Sequence, residues 1–233
     1  MFTNHPSGAS CSAGPKFPVD LGFFIAIIRD MARIAFFVDG FNLYHALQEN
    51  PGYHKYKWLD ISKLCAAFTM KKDRIVDVYY FTALTTWNQP KMARHRDYIR
   101  ALESKNVRIV YGEFKRRDKF CPLCKKTFQT FEEKQTDVNV AIYLFKLAIQ
   151  DIYDTAIIVS GDSDLIPSLS AVRAMFPHKR IGVIIPIGRA SESLKQTAHF
   201  HMKMKRYHLQ TSLFPAVVDL GQNQTVACPI TWQ

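Results

Sequence analysis

Ile34-Ala35-Phe36-Phe37-Val38-Asp39-Gly40 and Ala156-Ile157-Ile158-Val159-Ser160-Gly161-Asp162-Ser163-Asp164 are two apolar runs that each stop at acids and a glycine. Runs of this length, rich in β-branched residues and cut off by Gly, predict strands buried on both faces, as in a parallel sheet. In an open α/β sheet the ligand site lies beyond the carboxyl ends of the strands. Both runs therefore deliver carboxylates to one edge, Asp39 from the first and Asp162 and Asp164 from the second. Asp137 opens an amphipathic stretch just ahead of the second run. Crowded carboxylates repel and stay partly protonated unless a cation holds them. An oxygen-only cluster of this kind suits Mg²⁺ or Mn²⁺.

Outward from these runs the chain alternates strand and helix. The pattern predicts strand one over about 33–39, a helix over about 42–49 stopped at Asn50-Pro51-Gly52, and a helix from Trp58 to Thr69. Strand two runs from Arg74 to Leu84, a basic helix over 89–104, and strand three from Val107 to Tyr111. A helix over about 136–150 precedes strand four at 155–160; a helix at 164–175 and strand five, Arg180 to Pro186, follow. The rest reads as a short helix near 191–197, an apolar-basic stretch at 199–206 and a helical turn near 207–213. Strands separated by helices imply a parallel sheet with helices on both faces.

The domain so delimited covers 31–214, interrupted by an irregular basic insertion over about 113–133 and followed by a C-terminal tail, 215–233. Residues 1–30 are small-residue and turn-rich, without periodicity, and Met31 stands directly before strand one. They read as an extension upstream of a true start at Met31, or as a disordered tail.

The chain has 233 residues, 48% of them apolar, enough for one α/β domain with a core. Its net charge is +11, so the protein is basic while its acidic site is not. That contrast fits an enzyme that draws in a polyanion and cuts it with metal ions. Five unevenly spaced cysteines make no disulfide framework, which points to a reducing cytoplasm. The longest apolar stretch, Leu21 to Ile28, is far shorter than a membrane span, so no membrane partner is expected.

Lys115, Arg116, Arg117, Lys119, Lys125 and Lys126 crowd the insertion, with Lys134 just past it; Tyr111, Phe114, Phe120 and Phe128 are interleaved. Such surfaces suit single strands, whose bases stack and whose phosphates pair with Lys and Arg. The same aromatics could equally pin a solvated loop to the core. Cys121-Pro122-Leu123-Cys124 resembles one zinc knuckle. Structural zinc needs four ligands. The remaining two would be Cys65 or a His brought in by folding, or the same pair from a second chain in a homodimer; otherwise the pair is reduced and unmetallated. Asp39, Asp162 and Asn42 also suit helix capping, and Asp137 suits a first helical turn.

Phe37-Val38-Asp39-Gly40-Phe41-Asn42-Leu43-Tyr44, then Lys134-Gln135-Thr136-Asp137-Val138, then Val159-Ser160-Gly161-Asp162-Ser163-Asp164-Leu165 together resemble the NYN domain. More narrowly they resemble its bacterial LabA-like branch, within the PIN-like nuclease superfamily. The resemblance runs from about Arg33 to Phe214. It implies a three-layer α/β/α PIN-like fold and a metal-dependent ribonuclease. Carried over by position, the metal-binding acids are Asp39, Asp137, Asp162 and Asp164, with Asn42 and Ser160 as polar helpers. The Cys-x-x-Cys insertion is outside the minimal family pattern.

The leading expectation is hydrolysis of RNA phosphodiesters with one or two Mg²⁺ or Mn²⁺ ions bridging these acids. Two rivals are weighed. A non-catalytic RNA-binding adaptor would keep the cluster for structure. A phosphatase of the haloacid-dehalogenase type also begins strand one with Asp, but its second Asp falls at Phe41 here, and the partner of its later acid pair falls at Ile166.

Overall fold

The computed structural model describes residues 31–232; the expectation for residues 1–30 lies outside the described residues. In chain order the elements are β1 (Arg33–Asp39), α1 (Gly40–Gln48), a 3₁₀ stretch at Pro51–Lys57, α2 (Ile61–Ala67), β2 (Arg74–Thr82), α3 (Gln89–Glu103) and β3 (Arg108–Tyr111). Then come β4 (Glu113–Phe120), β5 (Thr127–Lys134), α4 (Thr136–Ile149), β6 (Thr155–Val159), a 3₁₀ turn at Ser163–Leu165, α5 (Ile166–Met175) and β7 (Arg180–Ile185). The chain finishes with α6 (Glu192–Thr197), β8 (Phe200–Lys203), α7 (Arg206–Thr211), β9 (Val217–Gly221), β10 (Gln224–Ala227) and a 3₁₀ turn at Ile230–Trp232.

Six strands form one parallel sheet in the order β3-β2-β1-β6-β7-β8. The chain builds outward from β1 to β3, then crosses over through α4 and builds outward the other way from β6. β1 and β6 are therefore neighbours at the point where strand order reverses, with Val38 opposite Val159. Alternation along β1 divides the core. Ile34, Phe36 and Val38 pack under α1, α2, α3 and α7, while Ala35 and Phe37 pack under α4, α5 and α6. This is the three-layer α/β/α arrangement that the two apolar runs imply.

Three readings need correction. The insertion is not irregular: β4 and β5 pair antiparallel from Glu113–Lys134 to Phe120–Thr127 as a separate two-stranded ribbon. β4 is charged and almost wholly exposed, and β5 runs from exposed to half-buried with no buried residue, so the apolar alternation that marks a half-buried strand is missing. The stretch 199–206 supplies a sixth sheet strand, Phe200–Lys203, pairing with β7. At four residues of mixed polarity it has the character of a short edge strand. Gly182 is needed opposite it, because a Cβ there would lie 2.3 Å from the Phe200 ring. Residues 215–232 of the expected 215–233 tail are structured. β9 and β10 form a hairpin whose Val218 and Val226 join the core, and Trp232 packs against Trp58 and Tyr98.

Candidate active site

β1 delivers Asp39 to the crevice at the strand-order reversal, where α/β sheets hold their ligands. Asp39 is 4% exposed, and both of its carboxylate oxygens are used. Oδ1 accepts the Asn42 amide at 3.0 Å, capping α1, and Oδ2 accepts the Ser160 hydroxyl at 2.9 Å. Ser160 Oγ in turn accepts the Asp162 amide at 3.0 Å. Asn42 Oδ1 accepts the Gly161 amide at 2.9 Å, tying the loop after β6 to the start of α1. Asp162 Oδ1 accepts the Asp164 amide at 3.0 Å and caps the 3₁₀ turn. Capping and clustering are thus not alternatives: each carboxylate oxygen carries two lone pairs, and a cap uses only one.

Gly40 makes this tight start of α1 feasible. A Cβ at residue 40 would lie 2.5 Å from Tyr80 Cζ and 2.7 Å from the Phe81 carbonyl. Asp137 comes from the first turn of α4. The bend ahead of it holds Gln135 in the left-handed region at φ 77°, and Glu133 accepts bonds from the Thr136 amide and hydroxyl.

Asp39, Asp137 and Asp162 each present a carboxylate oxygen, and the three atoms lie within 4.8 Å of one another. Burial, and then the negative charges of Asp39, Asp162, Glu133 and Asp164, push the Asp137 carboxyl up to about 6. Burial also raises Asp39, against the lowering effect of its two hydrogen bonds. The ion pairs of the described residues lie elsewhere and bring no cation to this trio. An all-oxygen, uncompensated donor set, with Asp39 buried and Asp137 and Asp162 half-buried, fits a hard divalent cation.

The sequence-predicted residues separate. Asp39, Asp137 and Asp162 meet, with Asn42 and Ser160 directly bonded around them. Asp164 is exposed; it adds negative charge near Asp137 but stands outside the trio. Among the basic residues, Lys115 pairs with Glu113 at 3.1 Å, while Arg117, Lys119 and Lys134 gather on Glu132 at 3.9, 3.1 and 3.3 Å. Arg116, Lys125 and Lys126 are exposed without such a carboxylate partner among the described residues. Cys121 and Cys124 sit at the hairpin tip, closed by the Cys121 amide bonding the Lys126 carbonyl at 2.9 Å. Cys65 is buried in the core, and among the described residues no further His, Cys, Asp or Glu joins the pair in a metal-sized group.

The insertion's aromatics also divide. Phe114 and Phe131 clamp Trp87 from the loop after β2: the Trp87 and Phe131 rings stack at 3.7 Å and 5°, and Phe114 meets Trp87 edge-on at 4.8 Å and Phe41 at 5.4 Å. Tyr111, Phe120 and Phe128 stay exposed. The clamp walls a cavity of about 490 Å³ that also touches Gly40 and Glu133, beside the acids.

Glu133 and Arg189 were not singled out by sequence reasoning. Arg189 approaches Gly161 so closely that a Cβ there would lie 3.0 Å from its own Cβ; it pairs with Glu49 at 2.7 Å, and its buried Nε has no partner. Glu133 offered a faint signal, an acid three residues ahead of a helix start. Arg189, in a loop, offered none.

A parallel α/β/α sandwich with an acid cluster at its switch point is consistent with a PIN-like fold. The match of residues 33–204 to the NYN domain model is more specific, and the chain belongs to that family. NYN domains fall within the PIN-like nuclease superfamily. The chain is similar to 6-hydroxy-3-succinoylpyridine 3-monooxygenase HspA of Pseudomonas putida (strain DSM 28022 / S16), 26% identical over 86% of this chain and 75% of the relative. It shares its fold with a crystal structure of a protein of unknown function from Vibrio parahaemolyticus RIMD 2210633. The TM-score is 0.57 and the identity 18%, covering 80% of this chain and 98% of that one. No helix of the described residues is long and apolar enough to cross a membrane.

Proposed function

We propose that the protein is a metal-dependent ribonuclease of the LabA-like branch, acting on single-stranded RNA in the cytoplasm. The observation that carries this reading is the trio Asp39, Asp137 and Asp162, held within 4.8 Å at the strand-order reversal without a compensating cation. These three would hold Mg²⁺ or Mn²⁺. Such an ion polarises the phosphodiester and acidifies the attacking water. The chain's own residues do the positioning. Ser160 and Asn42 fix Asp39 and the loop after β6, so the trio is preorganised before substrate arrives. Asp164, exposed at the rim, would orient the nucleophile. The basic hairpin would hold the strand.

The direct test incubates the full-length protein and its Asp162→Asn variant with labelled single-stranded RNA in Mn²⁺, Mg²⁺ or EDTA. Cleavage that needs metal and is lost in the variant supports the reading; salt-sensitive binding without cleavage turns it toward the adaptor. Binding also sharpens the role of the hairpin. Arg116→Ala and Lys125→Ala should each lower the slope of log affinity against log salt by about 0.7. Lys119→Ala, at a side chain already paired with Glu132, should change it less.

A second reading has one observation behind it. The relative at 26% identity is named as a monooxygenase of a hydroxypyridine, and the aromatic-walled cavity would accept such a ring. Oxygen consumption with hydroxypyridine substrates and a two-electron donor such as a reduced nicotinamide would favour this reading; its absence alongside RNA cleavage would remove it.

A further inference from the structure

The cavity beside the acids has a composition that phosphate binding alone does not explain. Phe41, Tyr44, Tyr80, Trp87, Phe114 and Phe131 give it flat apolar walls. Its uncharged polar lining includes Thr82, Thr85 and His95, and His45, Lys57 and Glu133 also reach it. Thr82 Oγ1 and His95 Nε2 are 3.1 Å apart. Thr85 is 3% exposed, lines the cavity, and its hydroxyl has no hydrogen-bond partner. An orphaned buried hydroxyl in an apolar chamber calls for a ligand that can bond it. Arg94 and Lys91, from α3, also line the cavity. The volume, about 490 Å³, falls within the usual range of small-ligand sites.

We propose that this cavity seats one unpaired nucleobase of the RNA, next to the phosphodiester held at the acid cluster. The proposal rests on the ribonuclease reading and adds base selectivity to it. Two lining residues connect the two places. Gly40 directly follows Asp39, and Glu133 accepts the Thr136 amide and hydroxyl, one residue before Asp137. A base inserted between aromatic walls gains stacking that any base supplies. The choice among bases comes from hydrogen bonds to its edge, here from Thr85 and the Thr82–His95 pair. Burial holds His95 down to about 4, so it is neutral at physiological pH and matches an uncharged ring edge rather than a phosphate. Arg94 and Lys91 then take the adjoining phosphates. A base paired in a duplex cannot enter without leaving its stack, so the strand must be single here.

Titration of the full-length protein with each of the four nucleoside 5′-monophosphates tests this, in EDTA, read by tryptophan fluorescence because Trp87 forms a wall. One or two of the four are expected to bind at least about tenfold more tightly than the rest. Thr85→Val, nearly isosteric, should erase most of that preference at an unchanged melting temperature, and Thr85→Ser should restore it. Failure of all four to bind, or a preference indifferent to Thr85→Val, overturns the proposal. So does a pyridine carboxylate such as nicotinate binding where no nucleotide does, since that marks a small-acid site. The assay needs neither metal nor turnover. Base-selective binding with no metal-dependent cleavage removes the nuclease and keeps the base pocket; cleavage without base-selective binding does the reverse.

Discussion

Aspartates gather around both ends of the β1–β6 pair, and the two clusters behave in opposite ways. At the amino-terminal end, the Arg33 guanidinium donates to Asp154 at 2.6 and 3.1 Å and to Asp151 at 2.9 Å. Lys179, only 1% exposed, donates to Asp151 and to the Tyr153 carbonyl, both at 2.7 Å. Its Lys179 and Arg33 bonds hold the Asp151 carboxyl down to about 2, and Asp154 is lowered by Arg33. At the carboxyl end, Asp39, Asp137 and Asp162 have no such cations, and burial and mutual repulsion raise Asp39 and Asp137. The same residue type around the same strands thus serves as a clamp at one end and as an unsatisfied ligand set at the other. Placement of cations, rather than the number of acids, separates structure from chemistry.

The strongest way to break this comparison is to neutralise one acid at each end. Asp39→Asn or Asp162→Asn should lower metal-dependent RNA cleavage by at least about a hundredfold, since even residues that only support metal ligands cost about 10–100-fold. Asp151→Asn should leave the rate per folded molecule nearly unchanged. Initial rates on a labelled RNA, normalised to folded protein, decide between them. Equal losses at both ends would mean that the asymmetry has no catalytic meaning.

Lys179→Met probes the clamp from its buried side. The thioether fills similar space but leaves the Tyr153 carbonyl without its bond. An unsatisfied buried acceptor costs about 1–3 kcal/mol, so the urea midpoint should fall while cleavage per folded molecule holds. No loss of stability would show that the clamp contributes little.

The contrast also explains what was legible in the sequence. β1 and β6 announce themselves because both faces of each are buried, and Asp39 and Asp162 follow from where such strands end. Asp137 was readable because it opens a strongly periodic helix. The ribbon β4–β5 was not, because its stability comes from pairing and from the Trp87 clamp rather than from apolar alternation. The cavity was hidden for a related reason. Phe41, Trp87, His95 and Phe131 come from four separate segments, and no local spacing brings them together. The single Arg33–Asp154 pairing, 121 residues apart, is invisible for the same cause.

The smallest expected effect concerns pH, and it has opposite sign at the two ends. Asp137 is raised from an ordinary 3.8 to about 6. Across that window the metal-free folded protein holds more protons than the unfolded chain, so this group's contribution to stability falls as pH rises and levels off above about 6. Asp151 and Asp154 are lowered, so their contribution is complete above the ordinary value and is lost as pH falls toward about 2. Thermal melts in EDTA from pH 4 to pH 7 isolate the first effect. Asp137→Asn, permanently uncharged, should flatten the decline and stabilise the metal-free protein at pH 7 by roughly 1–2 kcal/mol, a figure reduced for the solvent that still reaches the group. Adding Mn²⁺ at pH 7 should raise the melting temperature of the parent protein more than that of the variant. If the variant declines with pH as the parent does, the acids at the carboxyl end are not under mutual strain and the comparison fails at its electrostatic root.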